Sequence, residues 1–180
     1  RAARQAGRAL GFIAIDGDCL ARAWQARCEG SGEEDAAGCP DAPADFGLAP
    51  TAPTNAFAAC PRQLGLYAVL PDAAWVGRMA RAGVPTVQLR FKSDDAEAIE
   101  REVRAAVQAV QGTGSLLFIN DHWQVALAAG AYGVHLGQED LDALQAQQVA
   151  ALRASGARLG VSTHGYAEML RAAAVGPSYI

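Results

Sequence analysis

From Pro61 to the last residue, short apolar runs alternate with longer Ala-rich segments in which apolar residues recur at helical spacing. Leu64–Leu70 reads as a strand and Asp72–Ala82 as a helix, with Asp72 as N-cap and Gly83 as stop. Val84–Arg90 is the next strand, and Asp94–Gln111 is a helix opened by Asp94 or Asp95 and closed by Gly112. Ser115–Asn120 leads into a helix ending at Ala129, Tyr132–Leu136 into a helix over Leu141–Ala154, and Leu159–Ser162 into a helix reaching Ala174. Tyr179 and Ile180 begin a sixth strand.

Five strand–helix units in succession predict parallel strands joined by right-handed crossovers. A doubly wound open sheet and a closed (β/α)8 barrel both satisfy this. The stretch Thr86 to Lys92 separates them, because alternation puts Gln88, Arg90 and Lys92 on one face and Val87, Leu89 and Phe91 on the other. A central strand of an open sheet is covered on both faces and is apolar on both. The expected architecture is therefore an α/β TIM barrel, of which the first five units and the start of strand six lie in this chain. At roughly 23 residues per unit, a barrel of about 200 residues or more needs about three further units, or about 60 to 70 residues beyond Ile180.

Before the barrel the pattern changes. Residues 1–28 are Ala- and Arg-rich, with an apolar stretch from Leu10 to Ile15 and a helix-like run from Cys19 to Arg27, and are predicted to be helical and partly buried. Residues 29–60 turn to Gly, Pro, Ala and acidic residues, a composition too poor in apolar surface to order itself. They read as a linker, with the barrel domain spanning 61–180.

Composition adds exclusions. The chain is 51% hydrophobic and 19% charged, with a formal net charge of -4, and its few basic residues form no stripe of the kind that non-specific nucleic-acid binding needs. No apolar run reaches the roughly 20 residues that span a bilayer. Cys19, Cys28, Cys39 and Cys60 form no C-x-x-C pair and have no neighbouring His to complete a zinc set, so free thiols in a cytoplasmic protein are expected. P-loop, G-x-G-x-x-G and G-x-S-x-G motifs are missing from the sequence.

In a barrel the chemistry sits at the carboxyl ends of the strands. Those ends are Gln88, Arg90 and Lys92; Asn120-Asp121-His122; His135 to Asp140; and Ser162-Thr163-His164. Desolvated cations need carboxylates or an anionic ligand, so the Arg90/Lys92 face is expected to bind an anion. Asp121 and Asp140 follow neighbouring strands about 4.8 Å apart and could share one magnesium ion, which is usually held by one or two carboxylates together with substrate phosphate. The bland alternative is that both merely cap helices. His135 is read as a core residue with a backbone hydrogen bond, and Gly137 as a turn residue with positive φ in preference to one that lets backbone approach a ligand.

The motifs Gln88-Leu89-Arg90-Phe91-Lys92, Phe118 to Trp123, Gly133 to Leu141, Gly160 to His164 and Gly176 to Ile180 resemble, in order, those of the thiamine-phosphate synthase family. The resemblance covers Gln63 to Ile180. It implies a barrel that joins 4-amino-5-hydroxymethyl-2-methylpyrimidine diphosphate to 4-methyl-5-(2-phosphoethyl)thiazole, giving thiamine phosphate and diphosphate. It implies that Gln88, Arg90, Lys92 and Asn120 contact the pyrimidine diphosphate, with Arg90, Lys92 and Asn120 as the catalytic set. Asp121 and Asp140 are implied as Mg2+ ligands and Ser162 as a substrate contact. The family's later Thr-rich loop with its lysine, and the Gly-Gly turn for the thiazole phosphate, have no counterpart here. The 180-residue piece alone is accordingly expected to be inactive and poorly folded, with two open parallel edges. Alternative readings are a thiazole tautomerase-like barrel and a non-catalytic barrel that binds a phosphorylated metabolite. For residues 1–60, fusion to another domain of the thiamine pathway is one arrangement the composition admits.

Overall fold

The computed structural model describes residues 13–31, 40–48 and 55–180. Cys39 and the Arg1–Phe12 part of the predicted first helical segment lie outside them. The chain divides into two compact units: one holds the described residues up to Asn55 together with Thr163–Gly176, the other Ala56–Ser162 and Pro177–Ile180.

In the second unit five strands, β1 (Tyr67–Leu70), β2 (Thr86–Leu89), β3 (Leu116–Asn120), β4 (Gly133–Leu136) and β5 (Arg158–Val161), pair in parallel in the order 1-2-3-4-5. With right-handed crossovers, sequential order sends every connecting helix to the same side, so the sheet is singly wound. Register and alternation then give its two faces opposite characters. Leu70, Val87, Leu89, Leu117, Ile119, Val134, Leu136, Leu159 and Val161 share the helix-covered face, and all but Leu70 are buried. Tyr67, Val69, Thr86, Gln88, Leu116, Phe118, Asn120, Gly133, His135, Arg158 and Gly160 share the other, which is mostly polar and aromatic. At the chain's end Tyr179 forms a single parallel bridge with Gly160, and Val161 donates to its carbonyl at 3.2 Å, so the sixth strand begins where the pattern placed it.

The helices of this unit start as their caps predict. Here α2 is Ala73–Arg81, with Asp72 accepting from Trp75 N at 2.8 Å, and α3 is Ala96–Val110, with Asp95 rather than Asp94 accepting from Glu97 N and Ala98 N. Gly83 and Gly112 follow them in the left-handed region, where a glycine terminates a helix without steric cost. Their apolar stripes put Val76, Ala80, Val103 and Ala106 into the core. After β3 comes α4 (Trp123–Ala129).

The helix expected over Leu141–Ala154 is two, α5 (Gln138–Ala143) and α6 (Ala146–Ala154). Leu144 and Gln145 are extended between them, and the Gln148 side chain reaches back to the Gln145 N–H at 2.8 Å, an internal cap that hydrophobic spacing alone does not signal. β2 is also shorter than expected. It ends at Leu89, so Arg90, Phe91 and Lys92 lie in the loop beyond it, where both cationic heads reach solvent instead of lining a buried face.

In the first unit α1 (Ala14–Ser31) packs on α7 (Tyr166–Val175) and on a 3-10 turn at Pro43–Phe46. The stretch read as a linker thus carries structure in its described part: Phe46 stacks on Tyr166 at 5.2 Å and Arg27 pairs with Asp45 at 3.7 Å. A composition average misses single aromatic anchors of this kind. Gly165 offers α7 no side-chain cap, and Asp16 supplies one from α1, accepting the Ala167 N–H at 2.9 Å in the space a Cβ on Gly165 would fill.

Candidate functional site

The polar face of the sheet ends in a cluster built by three consecutive strand–loop junctions. From β2, Gln88 is buried and donates its Nε2–H to Asn120 Oδ1 on β3 at 3.3 Å. Each side chain satisfies one polar group of the other, which aims both at the same end of the sheet. From the loop after β2, Lys92 Nζ meets Asp121 Oδ2 at 2.6 Å. Lys92 keeps 60% of its side-chain exposure and Asp121 22%. At that exposure the pair adds roughly 1 kcal/mol or less to stability, so its effect is to hold two opposite charges in place.

Asp121 is the sole non-glycine residue with positive φ among the described residues, at 63°. Its N–H donates to the His135 carbonyl at 3.0 Å and its carbonyl accepts from Trp123 N at 2.8 Å. This tight turn points the carboxylate away from α4, whose N-cap position is taken by His122. The capping explanation for Asp121 therefore falls, while the one for Asp140 holds in part. Asp140 sits at the third position of α5 and reaches back to Gly137 N at 3.3 Å. Gly137 is extended, with φ -77°, contrary to the positive-φ turn expected for it. A side chain there would press on the Asp140 carboxylate.

The two carboxylates face each other within hydrogen-bonding reach. Burial, then the charge of Asp121 and the hydrogen bond to it, raise the Asp140 pKa above the usual carboxylate value, against the opposing pull of Gly137 N–H and Lys92. Among the described residues no three carboxylate, imidazole or thiol groups converge on one point. Two facing carboxylates are the donor pair a hard cation accepts when its other ligands are water and phosphate, while Lys92, which donates to Asp121, offers that cation no lone pair.

A group whose pKa is raised on folding penalises the folded state while ionised, and the penalty disappears as pH falls through that pKa. Asp140→Asn is therefore expected to raise the melting temperature of the metal-free protein at neutral pH, by about 2 °C. Thermal melts in chelator check this, and wild type should close the gap as the pH is lowered. A lower melting temperature for the variant at neutral pH would contradict the assigned repulsion.

Two side chains that sequence reasoning undervalued brace the cluster. His122 donates its Nε2–H to the Phe91 carbonyl at 3.1 Å, tying the loop that carries Arg90 and Lys92 to the turn that carries Asp121. Among the described residues the His135 ring makes no backbone hydrogen bond. Its Nδ1 lies 2.8 Å from the Tyr179 hydroxyl and its Nε2 2.7 Å from Ser162 Oγ. Burial lowers its pKa, with Asp121 opposing, which favours the neutral ring. Ser162 is further held by Gln138, whose Nε2 donates to its carbonyl at 2.7 Å.

The predicted residues do not all converge through contacts. Gln88 meets Asn120, and Lys92 meets Asp121 and, through it, Asp140. Arg90 is exposed and, among the described residues, keeps only a backbone tie, N–H to Leu70 carbonyl at 2.8 Å. Ser162 joins by way of His135. His164 belongs to the other unit, where its backbone N–H and Nδ1 both engage Glu168.

Residues 66–180 match the family model described as thiamine monophosphate synthase. The thiamine-phosphate synthase of Neisseria meningitidis serogroup B is 55% identical over 117 residues, covering 65% of this chain and 56% of that protein. That of Serratia proteamaculans is 50% identical over 127 residues, covering 71% and 58%. The chain thus spans less than three fifths of these curated relatives. Among solved structures, thiamine phosphate pyrophosphorylase from Pyrococcus furiosus superposes with a TM-score of 0.54 at 28% identity, over 63% of this chain and 57% of that one. With a family model covering more than half its length, and the strand-end cluster lying inside the matched region, the chain belongs to the thiamine monophosphate synthase family.

Proposed function

We propose that the protein makes thiamine phosphate, and that this chain supplies the pyrimidine diphosphate half of the site on part of a (β/α)8 barrel. The observation that carries the reading is the left-handed Asp121, whose carboxylate is turned away from its own helix to face both Lys92 and Asp140. A strained backbone at a non-glycine residue persists only where the surroundings over-determine it, and such residues cluster at functional sites. The singly wound sheet with one apolar and one polar face supports the barrel.

In this reading the bond from the pyrimidine methylene carbon to the diphosphate oxygen breaks first. The diphosphate leaves with the electron pair, and the thiazole nitrogen then donates its lone pair to the resulting cation. No proton has to move in either step, so the protein's task is to stabilise the leaving anion. Arg90 and Lys92 present positive charge to the diphosphate from the loop after β2. Gln88 and Asn120, fixed against each other, orient the pyrimidine diphosphate, and Ser162 makes a further contact. Asp121 and Asp140 would hold Mg2+, which when bound neutralises diphosphate charge.

The test is calorimetric titration of the natural protein with the pyrimidine diphosphate, followed by a thiamine phosphate assay. Binding should require Mg2+ and weaken about tenfold or more when either carboxylate is neutralised. Metal-indifferent binding without product formation would leave a non-catalytic phosphometabolite-binding barrel. Turnover of a thiazole phosphate without the pyrimidine substrate would leave a tautomerase.

A further inference from the structure

Four side chains of the second unit are joined in a row: Tyr67 on β1, Tyr179 at the bridge beside β5, His135 on β4 and Ser162 just beyond β5. The two tyrosine hydroxyls are 2.7 Å apart, Tyr179 reaches His135 Nδ1 at 2.8 Å, and His135 Nε2 reaches Ser162 Oγ at 2.7 Å. Neither tyrosine hydroxyl has another hydrogen-bond partner among the described residues.

Counting protons gives the row a direction. A neutral imidazole donates through one nitrogen and accepts through the other, and each hydroxyl has one proton to give. If Nδ1 carries the proton, it donates to Tyr179, and one of the two tyrosine protons is left without an acceptor whichever way the hydroxyls turn. If Nε2 carries it, Tyr67 donates to Tyr179, Tyr179 donates to Nδ1, and Nε2–H donates to Ser162 Oγ. Every tyrosine proton is then used, and the spare proton is that of Ser162, at the partly open end of the sheet. Burial raises the Tyr67 pKa to about 12, so its hydroxyl sits where an unused proton is costly.

We infer that Tyr67, Tyr179 and His135 are positioning residues that hold His135 as the Nε2–H tautomer and make the Ser162 hydroxyl an obligate donor, so that Ser162 recognises an unprotonated acceptor on the substrate. This rests on the reading that places Ser162 against substrate. The acceptor chemistry is shared by two parts of that substrate, an oxygen of the diphosphate and a ring nitrogen of the pyrimidine.

Long-range proton–nitrogen NMR of the natural protein labelled at histidine reads the tautomer without any reference to catalysis. The resonance lost in His135→Gln should show the Nε2–H pattern at neutral pH. An Nδ1–H or doubly protonated ring overturns the inference even if the protein proves to be a synthase, and an Nε2–H ring stands even if it does not. For the acceptor, inorganic diphosphate with Mg2+ and the unphosphorylated hydroxymethylpyrimidine are titrated separately into wild type and Ser162→Ala. Loss of about fivefold with one probe identifies its source, and no loss with either overturns the donor role. Tyr179→Phe should weaken the sensitive probe in wild type but have no further effect in Ser162→Ala, whereas equal loss in both backgrounds marks a structural role only and refutes the positioning. Tyr67→Phe serves in the same cycle should Tyr179→Phe fail to fold.

Discussion

Under the proposed function, asparagine in place of Asp121 is expected to lower the rate of thiamine phosphate formation by about a hundred- to a thousand-fold while leaving the melting temperature near that of wild type. The reasoning joins backbone and chemistry. Asp121 lies at φ 63°, a region that asparagine enters at least as readily as aspartate because its short polar side chain bonds locally. The turn through His135 carbonyl, Asp121 and Trp123 N is therefore kept. What is lost is the charge that faces Lys92 and Asp140. Alanine at the same position should be equally inactive and also less stable, by about 1 kcal/mol, since its Cβ gains nothing in the left-handed region. Glycine should be inactive and as stable as asparagine. Activity assays with paired thermal melts across the three variants check the pattern, and an alanine variant as stable as the glycine one would show that the turn carries no strain.

The second large effect is on packing. Gly133 and Gly160 face the polar side of the sheet, where Phe118 and Tyr179 lie over them. A Cβ on Gly133 would come within 2.5 Å of the Phe118 ring and 2.6 Å of the Arg158 carbonyl. The ring can tilt, but the carbonyl belongs to the neighbouring strand and cannot. Gly133→Ala is expected to cost about 3 kcal/mol, a fall of about 6 to 12 °C in melting temperature. On Gly160 the atoms nearest the added carbon are all of the Tyr179 ring and hydroxyl. The ring can move, at the expense of its hydrogen bonds to Tyr67 and His135. Gly160→Ala should thus keep the fold with a smaller loss of stability and a marked loss of substrate affinity. Melts and titrations on the two variants separate the outcomes, and a Gly160→Ala protein with unchanged affinity would count against the Tyr179 contacts as a support for the site.

These two glycines also show where a sequence stops being readable. Both occur in motifs that resemble the family. Nothing in the local pattern says that one is pressed by a neighbouring strand and the other by an aromatic ring from the far end of the chain, because those contacts follow from register. The same holds for the cations. Alternation places Arg90 and Lys92 on one face only if the strand continues through them, and strand length is set by pairing with Leu70, after which the chain turns out to solvent.

The sequence by itself determined the order of strands and helices, the cap at Asp72, and the family, since each is written in local periodicity or in short motifs. It also brought Gln88, Lys92, Asn120, Asp121 and Asp140 to one set of strand ends, because parallel strands in sequential order must align their carboxyl termini. Only the tertiary structure decided which of them touch. The Lys92–Asp121–Asp140 contact depends on a left-handed residue that any sequence reader would assign to glycine, and the row from Tyr67 to Ser162 depends on residues 112 positions apart meeting across the polar face. Contacts between side chains from different strands have no local signature. They exist once the register is set, and the register is a property of the whole sheet.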